Sequence, residues 1–182
     1  VMATFIIARL TFFEASRRKI LWAALALGLT FLALFGLGFY EIQKDITRNS
    51  PSSLVNLSEI YNFILMAGLY VVNFLTVMMS VLTAVDTLSG EIASGTIQTL
   101  LSKPVRRWEI LLGKWLGYIG MLTLYLLLMA GGVMALVYLI SSYSPPHAWR
   151  GLGLMWLNSL LLLNATLMGG SSLSTLANGV LV

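Results

Sequence analysis

Long runs of uncharged, mostly apolar residues divide the chain into regular segments. Three such runs lie at 20–40, 60–85 and 115–140, and they contain 21, 26 and 26 residues. A transmembrane helix needs about 20 apolar residues, so each run predicts one membrane span. The charged residues that separate the runs then predict the positions of the loops, and the last of these spans is expected to begin as a helix at 108.

The last third of the chain continues this pattern less regularly. No charge follows Arg150, and a polar cluster at 169–172 interrupts the run, which predicts a fourth span at 148–170. Apolar residues at 178–182 predict the beginning of a fifth. We therefore expect an all-α, polytopic transmembrane helix bundle with four full spans plus the start of a fifth, as a single domain over 1–182 and as a piece of a longer protein.

The segments outside the spans have different characters. Residues 1–19 carry large apolar side chains at helical spacing with Arg9 among them, which predicts a short helix in the membrane interface. A frayed tail is the alternative. Residues 41–58 are polar and predict a loop, and Pro145-Pro146 indicates a turn within a second, shorter loop at 141–147.

Composition agrees with a lipid-exposed protein and excludes several kinds of site. The chain is 58% hydrophobic and 10% charged, whereas soluble domains have roughly 25% charged residues. It has no cysteine and one histidine, His147, so neither a disulfide framework nor a thiolate site is possible and a metal site is not expected. We expect no cofactor bound by this chain.

Basic residues are concentrated at one end of the predicted spans. Eight of the eleven lie before the first span or between the second and third, and the remaining three are Lys44, Arg48 and Arg150. Cytoplasmic loops carry the excess of Lys and Arg, so the N-terminus and the 86–107 segment are expected in the cytoplasm. This topology accounts for the basic charge, and no nucleic-acid partner is expected.

The 86–107 segment is longer and more patterned than a simple connection requires. On a helix, polar and small residues would lie on one face and apolar residues on another. One of these two faces can pack against the bundle while the remaining face binds a partner. The polar face would hold Glu91, Ser94, Gly95, Gln98 and Ser102, and the apolar face Ala93, Ile97, Leu100 and Leu101. Pro104 is expected to end this helix.

The same segment carries a motif that resembles a known family. Glu91, Ser94-Gly95-Thr96-Ile97, Leu100-Leu101-Ser102, Pro104, Arg107, Glu109 and Gly113-Lys114 are similar to the E-x-x-SGT-[IL]-x-x-LLS-x-P-x-x-R-x-E-[IL]-x-x-GK pattern of exporter-type (type 2) ABC transporter permeases. Two departures are Arg106, where the family often has Ser or Thr, and the absence of the usual sixth helix. The gross organisation agrees along the whole chain.

The resemblance implies a coupling role for this segment. It would be a cytoplasmic coupling helix that docks on an ATPase subunit, with contacts from Glu91, Ser94, Gly95, Thr96, Gln98, Pro104, Arg107 and Glu109. The N-terminal interfacial helix would end in a basic anchor formed by Arg17, Arg18 and Lys19. Membrane topology and headgroup contacts alone are the alternative explanation for that anchor.

The function implied is that of a transmembrane permease subunit. Separate ABC ATPase subunits would bind ATP and Mg, and a second permease chain, identical or related, would complete a dimer that moves substrate outward across the cell (inner) membrane. The alternative is a non-transporting membrane anchor or assembly factor with the same fold. An ATPase gene beside this one would favour the transporter.

An enzymatic function is not expected. The phosphate-binding pattern G-x-x-x-x-G-K-[ST] is not met at Gly113-Lys114, because Trp108 and Trp115 occupy two of its required positions. The uncharged runs and the fourth predicted span hold no carboxylate or histidine that would serve as a proton relay or hydrolytic base. Hydroxyl groups at Thr166 and in 171–174 have no base near them in the sequence.

Helical spacing places five polar residues of the second predicted span on one stripe. At about 100° per residue they fall within about 80° of arc, and they are Asn62, Asn73, Thr76, Ser80 and Thr83. Amides are costly in hydrocarbon unless paired, so the stripe should face protein or water. It either holds helices together or lines a substrate path, and Asn73, bulky and mid-membrane, decides between the two.

Overall fold

The computed structural model describes residues 2–17, 19–49, 57–93 and 107–170. These residues form five helices and no strand: α1 Met2–Ser16, α2 Lys19–Asn49, α3 Leu57–Ala93, α4 Arg107–Ser141 and α5 Ala148–Gly170. Helices α2 to α5 are long and apolar enough to cross a bilayer. The predicted all-α polytopic bundle is confirmed, while the predicted start of a further span at 178–182 lies outside the described residues.

Two helices extend beyond the predicted apolar runs. The expected loop at 41–58 is wrong for its first half, because α2 continues to Asn49. Glu, Gln and Lys are good helix formers in water, and no proline occurs before Pro51. At the other end of the bundle, α3 continues past Val85 to Ala93 without a break.

Helix α4 is the centre of the bundle and packs against all four other helices. Its buried positions recur every three or four residues, as a helix with one broad protein-facing side requires. They are Tyr118, Met121, Leu122, Tyr125, Leu126, Met129, Ala130, Val133 and Val137. The outward sides of the helices carry large apolar residues such as Leu139 and Leu161, as expected for surfaces that face lipid.

Small residues allow α2, α3 and α4 to approach closely. A Cβ added at Gly28 of α2 would lie 2.5 Å from the sulfur of Met129. At Gly68 of α3 it would lie 2.6 Å from the Phe35 ring and 3.1 Å from Val133. Because lipid is as apolar as the side chains themselves, helices in a membrane associate through such close packing.

A row of aromatic rings links three parts of the bundle at the end where α2 leaves the membrane. Neighbouring ring centroids are 5.8 to 6.3 Å apart along Phe31, Phe35, Phe39, Tyr61 and Tyr143. Tyr143 belongs to the loop at 142–147, where Ser142 adopts a left-handed conformation (φ 54°) as α4 ends. The rings therefore tie the α4–α5 loop to α2 and α3.

Candidate functional site

The predicted coupling residues lie at the junction of α3 and α4, mostly outside the described part of the chain. Glu91 is in the last turn of α3 and Arg107 begins α4, but only their backbones are described. Glu109 is half-buried in the first turn of α4. Ser94, Gly95, Thr96, Gln98 and Pro104 fall outside the described residues. The structure thus places the two ends of the segment on two long helices.

The predicted basic anchor lies between α1 and α2. Arg17 follows the last residue of α1, and its backbone N–H donates to the Glu14 carbonyl oxygen at 3.2 Å. Arg17 and Lys19, the first residue of α2, are both exposed, and Arg18 is outside the described residues. Two exposed cations therefore mark the point where the chain turns from α1 into its first membrane-spanning helix.

Four of the five stripe residues on α3 are buried or half-buried, as expected of a surface that avoids lipid. Thr76 and Ser80 are fully buried and Thr83 nearly so, Asn73 is half-buried, and Asn62 is exposed in the second turn of α3. The Thr76 hydroxyl donates to the Val72 carbonyl oxygen at 2.8 Å, within its own helix. The Ser80 hydroxyl donates across to the Ser159 carbonyl oxygen on α5 at 3.3 Å.

Asn73 differs from its neighbours on the stripe. Its Oδ1 is buried and accepts no hydrogen bond from any described residue. A buried amide oxygen without a partner costs about 1–3 kcal/mol. Unlike Ser80, whose hydroxyl joins α3 to α5, Asn73 does not serve as an oxygen acceptor within the described bundle.

Two tryptophan side chains join α4 to α5. The Trp115 indole N–H donates to Asn164 Oδ1 at 2.8 Å, and the Trp156 indole N–H donates to Thr123 Oγ1 at 2.9 Å. The two bonds run in opposite directions and are eight residues apart on each helix. The sequence did not predict these bonds. A tryptophan in an apolar run is equally expected if it only packs against its neighbours, and its hydrogen-bond partner can be identified only when the register between the helices is known.

Helix α1 packs on the N-terminal half of α4 through glycines. A Cβ at Gly113 would lie 2.6 Å from Ile7, and one at Gly117 would lie 2.9 Å from the carbonyl oxygen of Ala8. The spacing of the two glycines is that of the small-x-x-x-small motif of membrane helices. This motif was present in the sequence at 113–117 and was the signal that could have located the α1 contact.

A family model described as ABC-2 family transporter protein matches residues 5–178, nearly the whole chain. The chain belongs to this ABC-2 family. It is therefore a multi-pass membrane permease of an ABC transporter, as the motif at 91–114 indicated. Family membership implies association with ABC ATPase partners in the membrane. No curated protein matches the chain.

Proposed function

We propose that this ABC-2 permease couples ATP hydrolysis by separate ATPase subunits to the export of a substrate. The observation that carries the proposal is the family match over residues 5–178 together with the motif that begins at Glu91 and ends at Lys114. That motif runs from the last turn of α3 into the first turns of α4. A subunit docked there would act on both helices at once.

The helices on either side of the segment are suited to transmit such an action. Helix α3 is continuous from Leu57 to Ala93, so its membrane-spanning part and its last turns form one helix of 37 residues. Helix α4 begins at Arg107 and contacts every other described helix. A subunit that moves the last turn of α3 or the first turn of α4 would therefore act on helices that reach the centre of the bundle.

The polar contacts of α5 extend this linkage. Ser80 connects α3 to α5, and the two tryptophan bonds connect α4 to α5. Helix α5 thus holds a bond to each of the two helices that flank the coupling segment. Coupling requires that these contacts differ between the two states of the transport cycle, since a ligand shifts an equilibrium only through differential interactions.

Asn73 is the stripe residue that we assign to the substrate path. The hydroxyls of Thr76 and Ser80 are satisfied within the chain, which supports a packing role for them. The Oδ1 of Asn73 has no partner among the described residues and is available to a substrate group or a water molecule in the path. Asn62 and Thr83 stay candidates for helix packing at the two ends of the stripe.

A second permease chain completes the proposed transporter. The most apolar part of α2 is 6% buried against the rest of the chain, compared with 39% for α3. We assign this open face of α2 to the dimer, in which the path would lie between two chains. The excess of basic residues supports a location of the N-terminus and the coupling segment on the cytoplasmic side of the inner membrane.

Co-purification with ATPase subunits tests the proposal. The permease is expressed with candidate ABC ATPase subunits, purified in lipid nanodiscs, and assayed for complex formation and ATP hydrolysis. Glu91→Lys should weaken the complex and abolish permease-dependent hydrolysis, because juxtaposed like charges at an interface cost several kcal/mol. The matched control is Glu41→Lys, the same charge reversal at the exposed far end of α2.

The outcomes distinguish a coupling role of Glu91, a structural role of Glu91, and an anchor or assembly function of the chain. Loss of hydrolysis in Glu91→Lys alone, with normal membrane insertion, supports the coupling role. Loss of the protein from the membrane would instead make Glu91 a structural residue. A stable complex in which ATP hydrolysis does not depend on the permease would favour the anchor or assembly function.

A further inference from the structure

The orientation of α1 about its own axis is fixed by its contact with α4. Its docked side consists of Thr4, Ile7, Ala8 and Thr11, which lie against Gly113 and Gly117 at distances that leave no room for a Cβ. Thr11 is buried. Because these residues pack directly against the two glycines of α4, the opposite side of α1 faces away from the protein.

That opposite side forms an apolar groove with one cation in it. The groove has a volume of about 360 Å³ and is lined by Phe5, Ile6, Arg9, Leu10 and Phe13. The four apolar residues are between 52% and 74% exposed. The Arg9 guanidinium carbon lies 5.7 Å from the centroid of the Phe13 ring, and Arg9 is exposed.

The groove lies at the depth where lipid headgroups are expected. Ala8, the residue before Arg9, contacts Gly117, which is in the first turn of the uncharged run that begins at Trp115. Exposed Arg17 and Lys19 follow just before the apolar run of α2. Cations near the end of a span are typical of the membrane surface, where polar headgroups meet hydrocarbon.

We propose that this groove binds an anionic glycerophospholipid, with its phosphate on Arg9 and an acyl chain along the apolar residues. A guanidinium forms two parallel hydrogen bonds with a phosphate, and Arg9 forms no ion pair with any described residue. The apolar walls favour a lipid over a soluble phosphate. Arg17 and Lys19 add positive charge, which favours a net negative headgroup over a zwitterionic one.

This site does not depend on the transport function and is tested by lipid binding. The permease is purified in detergent, titrated with phosphatidylglycerol, phosphatidylcholine or glycerol 3-phosphate, and examined by native mass spectrometry and thermal denaturation. Phosphatidylglycerol should remain bound and raise the melting temperature more than phosphatidylcholine does. Glycerol 3-phosphate should do neither, because it has no acyl chain.

Two substitutions locate the site. Arg9→Gln should weaken phosphatidylglycerol binding about tenfold, as expected for loss of a charged hydrogen-bonding partner, and Arg9→Lys should weaken it less. The matched control Arg150→Gln, which removes an exposed cation from the first turn of α5, should bind as the wild type does. Unchanged binding in Arg9→Gln, or an equal loss in Arg150→Gln, would overturn the proposal.

The other possible occupants of the groove give different results. If a second permease chain covers it, Phe13→Ala will shift the oligomeric state measured by light scattering and leave lipid binding unchanged. If glycerol 3-phosphate binds as tightly as the lipid, Arg9 is a soluble-anion site. Either result would replace the lipid proposal.

Discussion

Trp115 of α4 donates its indole N–H to the side-chain oxygen of Asn164 on α5 at 2.8 Å. Eight residues further along α4, Thr123 accepts the reciprocal bond from Trp156. The backbones of these two helices approach each other at few points, so the tryptophan side chains bridge much of the space between them. Helix α5 is held to α4 by specific polar bonds more than by close packing.

Trp115→Phe is expected to destabilise the α4–α5 contact. The substitution keeps an aromatic ring but removes the N–H and leaves Asn164 Oδ1 without its donor. Hydrogen bonds between membrane helices contribute about 0.6–2 kcal/mol. A double-mutant cycle with Asn164→Ala should give a coupling free energy in that range, measured by unfolding in mixed micelles.

The control for this cycle is Trp108→Phe. Trp108 is exposed in the first turn of α4, so the same substitution there should leave the unfolding free energy nearly unchanged. A coupling free energy of zero between positions 115 and 164 would contradict the bridging role of the indole.

Gly117→Ala should displace α1 from α4. Its Cβ would lie 2.8 Å from the Thr11 Cβ and 2.9 Å from the Ala8 carbonyl oxygen, and backbone atoms of a packed helix cannot move aside cheaply. Overpacking of this kind typically costs 1–3 kcal/mol. We expect a lower melting temperature and faster proteolysis within α1.

Gly131→Ala is the matched control in the same helix. A Cβ at Gly131 would meet nothing within 4 Å, and alanine is a better helix former than glycine by about 1 kcal/mol. The melting temperature should therefore stay the same or rise. Equal destabilisation by both substitutions would show that the effect comes from α4 itself rather than from the contact with α1.

Asn73→Leu is expected to alter transport without lowering stability. Its Oδ1 is buried and has no partner among the described residues, so replacing the amide by an apolar group of similar volume removes a cost of burial. Substrate-stimulated ATP hydrolysis should fall while the melting temperature holds or rises. Asn158→Leu, at an exposed position of α5, should change neither.

Ser80→Ala provides the opposite pattern. This hydroxyl bonds to the Ser159 carbonyl oxygen, so its removal should lower stability modestly and affect hydrolysis only through stability. If Asn73→Leu behaves like Ser80→Ala, the whole stripe holds helices together and the assignment of Asn73 to the path is wrong.

Cysteine labelling should place the two ends of the bundle on opposite sides of the membrane. The chain has no native cysteine, so single substitutions can be read without background. An impermeant maleimide added to intact cells should label Lys44→Cys and His147→Cys but not Arg17→Cys or Lys103→Cys. Labelling of Lys103→Cys from outside would reverse the topology.

The spans could be predicted from the sequence because they follow from charge alone. A charged side chain in hydrocarbon is costly, so the uncharged runs mark the membrane regardless of how the helices pack. Helix ends depend instead on local propensity in water. For that reason α2 reaches Asn49 where a loop was predicted after Tyr40.

The polar contacts between helices could not be predicted from the sequence, because their prediction requires the register between the helices, which the sequence of one span does not determine. Spacing within α3 placed Ser80 and Thr83 on one stripe, and both are buried. Nothing in either span alone indicates that Trp115 would meet Asn164, since that pairing depends on how far α5 is shifted along α4. The side of α1 that docks was also not predicted, because large apolar residues occur on both sides of this helix: Ile7 contacts α4, whereas Phe5 and Leu10 are exposed.

The contact of Ile7 with Gly113 joins residues that are more than one hundred positions apart in the chain. A contact between such distant residues requires closing a long loop, which slows folding. While the ribosome is still making the first two spans, α1 cannot pack against Gly113 and Gly117. Its native contact can form only after α4 has been synthesised. The first helix of the chain is therefore among the last to take its place.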